Sequence, residues 1–290
     1  MKRARVVRVA ARVLILMIAV SGVSLGCANQ WILGENHEAG VDSQGARPTV
    51  VMCGDRKVEC WVERSPGATG GREPGAYVLF FVGKAERADR WVTAVAGAWK
   101  QKPVEVWGMN YPGSGGSDGP AKLAEVPPRA LAVYDAARKI AGDRPIYIHA
   151  GSFGTTVGLY VAANRPIAGL VLQNPPPLRQ LVLGYYGWWN LWVAAGPVAA
   201  QIPAELDSLA NAARVNAPAV FISAGSDGII PARYHRRVVA AYAGPTRVID
   251  MPGAGHDTPL TREAAEAFDQ DLDWLWQFHA AKKSPELLSR

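Results

Sequence analysis

The sequence predicts an α/β domain: a mostly parallel eight-stranded sheet with helices on both faces. Eight short apolar, β-branched runs alternate with longer stretches of helical periodicity. The order strand, helix, strand, helix implies parallel strands joined by crossovers. The later runs are apolar without polar alternation, the pattern of strands covered on both faces.

The strand candidates are Val50–Cys53, Val58–Glu63, Tyr77–Val82, Val104–Met109, Pro145–His149, Gly169–Gln173, Ala219–Ser223 and Thr246–Met251. The first two flank Gly54-Asp55-Arg56-Lys57 and are expected as an antiparallel edge hairpin. Helices are expected at Ala88–Gln101, Pro128–Ala141, Thr155–Asn164, Pro231–Ala243 and Thr261–Lys282, several opened by Pro or an Asp or Thr cap and closed near Gly or Pro. After Pro175-Pro176-Pro177, the stretch to Ala212 carries Tyr185, Tyr186, Trp188, Trp189 and Trp192, which predicts a short aromatic-rich insertion at about 175–212, after the sixth strand. With 290 residues, 49% of them hydrophobic, one main domain over 49–282 and a C-terminal tail at 283–290 are expected.

Ahead of the domain, a basic start and an apolar run from Val13 to Gly26 suit an export signal over 1–26. The run is shorter than the ~20 residues a spanning helix needs, which makes a permanent span the lesser alternative. It closes on Val23-Ser24-Leu25-Gly26-Cys27, which resembles the lipobox of bacterial lipoproteins, with Ser24 where that family usually has an aliphatic residue. The resemblance implies a palmitate-type lipid anchor on Cys27, an envelope location held to a membrane through that anchor, and a polar tether over 27–48. Ordinary signal cleavage, giving a secreted or periplasmic soluble protein, is the alternative. Cys53 and Cys60 flank the hairpin turn, and in an exported protein a disulfide between them is expected.

Five of the six units of formal positive charge reside in the leader. Of 31 Lys and Arg, Lys2, Arg3, Arg5, Arg8 and Arg12 lie before Cys27, leaving 26 against 25 Asp and Glu. No basic stripe interleaved with aromatics remains, so nucleic acid is discarded as a partner. No Cys/His metal spacing and no Gly-x-Gly-x-x-Gly fingerprint occurs, so neither metal nor organic cofactor is implied.

Three serines sit between small residues: Ser117, Ser152 and Ser226. A serine projected above a sheet needs a buried strand just before it and a helix just after it. Only Ser152 has both, following Pro145–His149 and preceding Thr155-Thr156-Val157-Gly158-Leu159. A serine hydroxyl needs a histidine to take its proton and a carboxylate to hold that histidine's tautomer. His256, in the loop Pro252-Gly253-Ala254-Gly255-His256-Asp257 after the last strand, is the expected base. His37, His149, His235 and His279 fall in the tether, in a strand or on helices and are expected to be structural or on the surface. Asp227 ends the loop after Ala219–Ser223, and the order Ser, Asp, His runs along the chain. The site one strand earlier reads Leu172-Gln173-Asn174-Pro175 and offers no carboxylate.

From about Thr49 to Phe278 the chain resembles the α/β-hydrolase superfamily, especially its serine-hydrolase branches related to esterases and serine peptidases. The loop Asn110-Tyr111-Pro112-Gly113-Ser114-Gly115-Gly116-Ser117 resembles the structural loop after the fourth strand of these enzymes. The resemblance implies an oxyanion hole from two backbone N–H groups, one on Phe153 and one in the loop after the third strand. That loop reads Val82-Gly83-Lys84-Ala85-Glu86, with Val82 where the family usually has His, and Lys84 aligns as the second donor. The expected activity is cleavage of an ester or thioester acyl bond in a small-molecule or lipid-like substrate. A peptidase of aminopeptidase type, or an envelope scaffold without turnover, are the alternatives. The insertion is expected either to cover an acyl group as a lid or to pack onto the sheet. The natural substrate and the oligomeric state stay open.

Overall fold

Eight strands form one sheet: β1 Arg47–Cys53, β2 Arg56–Arg64, β3 Ala76–Phe81, β4 Val104–Met109, β5 Ile146–Gly151, β6 Gly169–Gln173, β7 Ala219–Ala224 and β8 Thr246–Met251. A computed structural model describes residues 28–38, 45–187 and 195–288, the last eight of these as helix backbone. Cys27, the leader before it, Trp188, Trp189 and Trp192 lie outside the described residues. The strand order is β1-β2-β4-β3-β5-β6-β7-β8, and every pairing is parallel except β1 with β2 and β2 with β4. Burial explains the composition of the strands. β3, β4 and β7 are buried at every position, whereas edge strand β8 buries only Ile249 and Met251.

Five longer helices are α1 Ala88–Ala98, α2 Val126–Ala141, α3 Phe153–Asn164, α4 Ala232–Ala241 and α5 Arg262–Leu288. Residues of β5 show how they divide between the two faces of the sheet. Tyr147 lies 5.2 Å from the Trp99 ring at the end of α1 and stacks on Trp276 of α5 at 5.8 Å. The neighbouring Ile148 and Ala150 point the other way, as strand alternation requires, and meet Gly158 of α3. Trp99, Phe81 and Phe221 are fully buried, each stabilising the fold by roughly 1.5–3 kcal/mol relative to exposure. The helix ends agree with local chemistry. Pro lies at the start of α2, Gly142 closes it in a left-handed conformation, and the Asn110 side chain accepts from the Ala88 N–H at the head of α1. Among the described residues no helix is long and apolar enough to cross a membrane.

Two expectations need correction. The predicted Cys53–Cys60 disulfide is not formed: both thiols are free. The turn is the two-residue Gly54-Asp55, so Cys53 faces Arg56 while Cys60 faces Thr49. Cys60 is therefore about 13 Å along the strand from Cys53, at ~3.3 Å per residue, and a disulfide needs Cα atoms within ~7 Å. The segment read as a polar tether is also docked over its described part. Residues Asn29–Leu33 form a helical turn with Ile32 and Leu33 buried, and Asn36 makes a parallel bridge to Ser114.

Burial raises the Cys60 thiol far above its ordinary value, while Cys53 is half-buried. In a Cys27→Ser variant kept from reductant, a thiol reagent is expected to modify Cys53 alone in the folded protein and both cysteines after denaturation. Failure of both to react after denaturation would restore the disulfide.

Candidate active site

The strand order reverses at β3: the chain passes from β3 to β4 on one side and later to β5 on the other. Loops leaving the C-terminal ends of such neighbours diverge and open a crevice. The loop after β5 carries Ser152, and the loop after β3 carries Gly83 and Lys84.

Ser152 has φ 50° and ψ −125°, a conformation non-glycine residues rarely adopt, between β5 and α3. Its N–H donates to the Gln173 carbonyl at 2.8 Å, and its own carbonyl accepts from the Thr155 N–H and hydroxyl at 3.0 and 2.7 Å. The turn is tight because position 154 is glycine. A Cβ there would lie 2.1 Å from the Phe81 carbonyl oxygen and 2.5 Å from that of Val82. Ala150, where glycine is commoner in this motif, is fully buried.

The loops after β7 and β8 deliver the other two groups. They touch at Gly225, where a Cβ would meet the Pro252 carbonyl oxygen at 2.5 Å. The Ser226 N–H also donates to the Ala254 carbonyl. The Ser152 Oγ is 3.0 Å from His256 Nε2, and His256 Nδ1 is 2.6 Å from Asp227 Oδ2. An ionised carboxylate only accepts, so Nδ1 carries the ring proton and Nε2 accepts from the serine hydroxyl. The other oxygen of Asp227, Oδ1, accepts from the N–H groups of Ile229 and Ile230, both at 2.8 Å. Burial pushes the Asp227 carboxyl upward, but the nearby His235 imidazole, the hydrogen bond from His256 and the Ile230 amide outweigh it and hold the group well below the usual carboxylate range.

The remaining sequence candidates fall into place around this line. Phe153 follows Ser152 directly, and a Cβ on Gly83, the residue before Lys84, would be 3.7 Å from the Ser152 Cβ. Partial burial lowers the Lys84 ammonium from its ordinary value. Ser117 lies elsewhere, where its hydroxyl donates to the Asn110 carbonyl and accepts from the Glu59 N–H. Ser226 donates to the Pro252 carbonyl. Tyr185 and Tyr186 of the insertion donate to the carbonyls of Gly228 and Ile229, beside Asp227. Among the described residues no cluster of three or more His, Cys, Asp or Glu could hold a metal ion.

Three contributors were not singled out from the sequence. Asn174 has φ 49°, donates to the His256 carbonyl at 3.0 Å and accepts from the Ala224 N–H, tying together the loops after β6, β7 and β8. Asn36 donates to the Ala85 carbonyl while Leu33 accepts from the Ala85 N–H, bracing the loop after β3, in which Ala85 has φ 54°. His235, fully buried on α4, approaches the same Asp227 oxygen as His256, with Nε2 3.4 Å from Oδ2. An asparagine just after a strand is a weak signal of the first; nothing local marks the other two.

The low pKa of Asp227 has a stability consequence with a defined sign. The group contributes stability above its unfolded pKa of about 4, and that contribution is lost as pH falls toward the folded value. Asp227→Asn is expected to cost roughly 1–3 kcal/mol at neutral pH by urea unfolding, with the gap to the parent closing below about pH 4. A gap independent of pH would contradict the assigned ionisation.

Comparison with known proteins agrees with this architecture. A family described as having the alpha/beta hydrolase fold matches residues 101–205. Uncharacterized proteins from two strains of Mycobacterium tuberculosis are 36% identical over 109 residues, which is 37% of this chain and 36% of each relative. The chain thus matches about a third of the length of these curated relatives. Among solved structures, Est1E from Butyrivibrio proteoclasticus with ferulic acid bound aligns with a TM-score of 0.63 at 17% identity, covering 80% of this chain and 99% of that one. An esterase from Pyrococcus furiosus gives 0.62 at 12% identity over 85% and 97% of the two chains. An acetyl xylan esterase from Paenibacillus sp. R4 gives 0.59 at 13% identity over 87% and 92%. Together with the strand order and its reversal at β3, these likenesses show that the chain has the α/β-hydrolase fold.

Proposed function

We propose that the protein is a serine hydrolase of carboxylesterase type that cleaves an ester or thioester acyl bond through an acyl-enzyme. The observation that carries this is the continuous hydrogen-bonded line Ser152–His256–Asp227, with its serine raised on a positive-φ turn. In the first step His256 Nε2 takes the Ser152 proton as Oγ attacks the acyl carbon. The imidazolium then gives that proton to the departing alkoxide or thiolate. Water enters, His256 deprotonates it, and its attack on the acyl-enzyme releases the acid and restores Ser152. Asp227 keeps the ring in the Nδ1–H tautomer and stabilises its cationic form. The amides of Phe153 and Lys84 receive the negative oxygen of each tetrahedral intermediate. The side chain at position 82 is immaterial to that function, because the donors are backbone groups.

Two structural neighbours are described as esterases, which favours an ester over a peptide bond. The reading extends to the leader: export, lipid attachment at Cys27 and presentation of the site close to a membrane, where acyl substrates are abundant.

A fluorophosphonate probe is expected to add one label per chain to the parent, Ser117→Ala and Ser226→Ala proteins, and none to Ser152→Ala, read by intact mass. Ester turnover by Ser152→Ala should fall by at least ~10⁴-fold. An unlabelled parent, or a labelled Ser152→Ala, would overturn the assignment.

A further inference from the structure

Asp227 is served on both sides. Its Oδ2 lies 2.6 Å from His256 Nδ1 and 3.4 Å from His235 Nε2, and its Oδ1 is already held by two backbone amides. His235 Nδ1 is in turn 3.0 Å from the Ser223 hydroxyl. His235 and Ser223 are buried, at 0% and 5% exposure, so neither reaches solvent or substrate.

The tautomer of His235 follows from its two neighbours. If Ser223 accepted from Nδ1–H, the bare Nε2 lone pair would face a buried carboxylate, an arrangement that leaves both acceptors without a proton between them. With Ser223 donating to Nδ1, the proton falls on Nε2, a buried nitrogen that makes no hydrogen bond of ordinary geometry and lies 3.4 Å from Asp227 Oδ2. The groups facing the Asp227 carboxylate are then His256 from the loop after β8, His235 from α4 and the Ile229 and Ile230 amides of its own loop, with the Tyr186 hydroxyl nearby on the insertion.

We propose that Ser223 and His235 extend the Ser152–His256–Asp227 line into the core, with His235 a positioning residue that shares Asp227 Oδ2 with His256 and so sets how strongly Asp227 holds the catalytic imidazole. This rests on the hydrolase reading above. A second donor on Oδ2 draws carboxylate charge away from His256. Removing it makes Asp227 a stronger acceptor for the His256 proton, and the amides on Oδ1 keep the carboxylate from rotating away. The imidazolium is then stabilised too far, and the free base that attacks at neutral pH becomes scarcer.

The test uses the full chain, p-nitrophenyl acetate as probe ester, and rates normalised to sites titrated with fluorophosphonate. His235→Phe is expected to lower kcat per titrated site by up to about tenfold on the acid limb and little on the plateau, with KM within about twofold. The acid limb of kcat/KM should move to higher pH by roughly one unit. His235→Gln, whose amide places an N–H near the lost Nε2, should regain most of the rate and the parental acid limb. An independent measurement on the parent covers the case in which His235→Phe does not fold: ¹⁵N-histidine NMR should find the His235 proton on Nε2 and a bare Nδ1. A proton on Nδ1, or a His235→Phe protein with parental kcat and acid limb, overturns the proposal while the labelled parent leaves the hydrolase reading intact. A parent that takes up no label and turns over no ester overturns both.

Discussion

The inverted backbone at Ser152 is the constraint around which the other parts are arranged. A non-glycine residue in that region costs on the order of 1–3 kcal/mol, so it persists only where its surroundings leave no alternative. Three contacts do this: the Gln173 carbonyl fixes the serine N–H, Thr155 satisfies its carbonyl twice, and the missing Cβ at Gly154 lets α3 begin against the ends of β3. That approach requires β3 and β5 to be neighbours, as they are in the sheet, so the turn depends on the crossover order of the strands.

Electrostatics completes what the turn begins. A carboxylate with no exposure at its side chain is tolerable only if its charge is met by donors, and Asp227 has two amides and two imidazoles around it. The insertion contributes to the same corner. Tyr185 and Tyr186 bind the Gly228 and Ile229 carbonyls of the Asp227 loop and form a small cluster with Leu181, Ile230 and Tyr234. Packing onto the fold is therefore the described role of these two rings.

The eight strands and five main helices were legible because a parallel sheet covered on both faces leaves uninterrupted apolar runs, and because Pro and Gly mark its helix ends. Ser152 was separable from Ser117 and Ser226 by the strand before it and the helix after it. Asp227 and His256 were legible from loops that follow strands in the right order. What stayed hidden depends on register and on distance along the chain. The Cys53–Cys60 pairing failed because spacing does not reveal that the turn has two residues. The part played by His235 depends on α4 packing over β7, which no local pattern encodes. Its helical position was read correctly, but its neighbour was invisible.

The docked segment before β1 changes where this domain begins. Leu33 and Asn36 hold Ala85 from both sides, Asn29 accepts from the Leu123 N–H, and Glu35 accepts from the Ala121 N–H. Trp31 meets Tyr186 of the insertion edge-on at 5.0 Å. A recombinant boundary drawn at Thr49, where hydropathy first suggests a strand, would strip the loop after β3 of its outer wall and cut into β1 itself, whose first residue is Arg47. The smallest faithful unit starts at or before Ala28. In this chain the stretch that looks like a leash serves as a buttress.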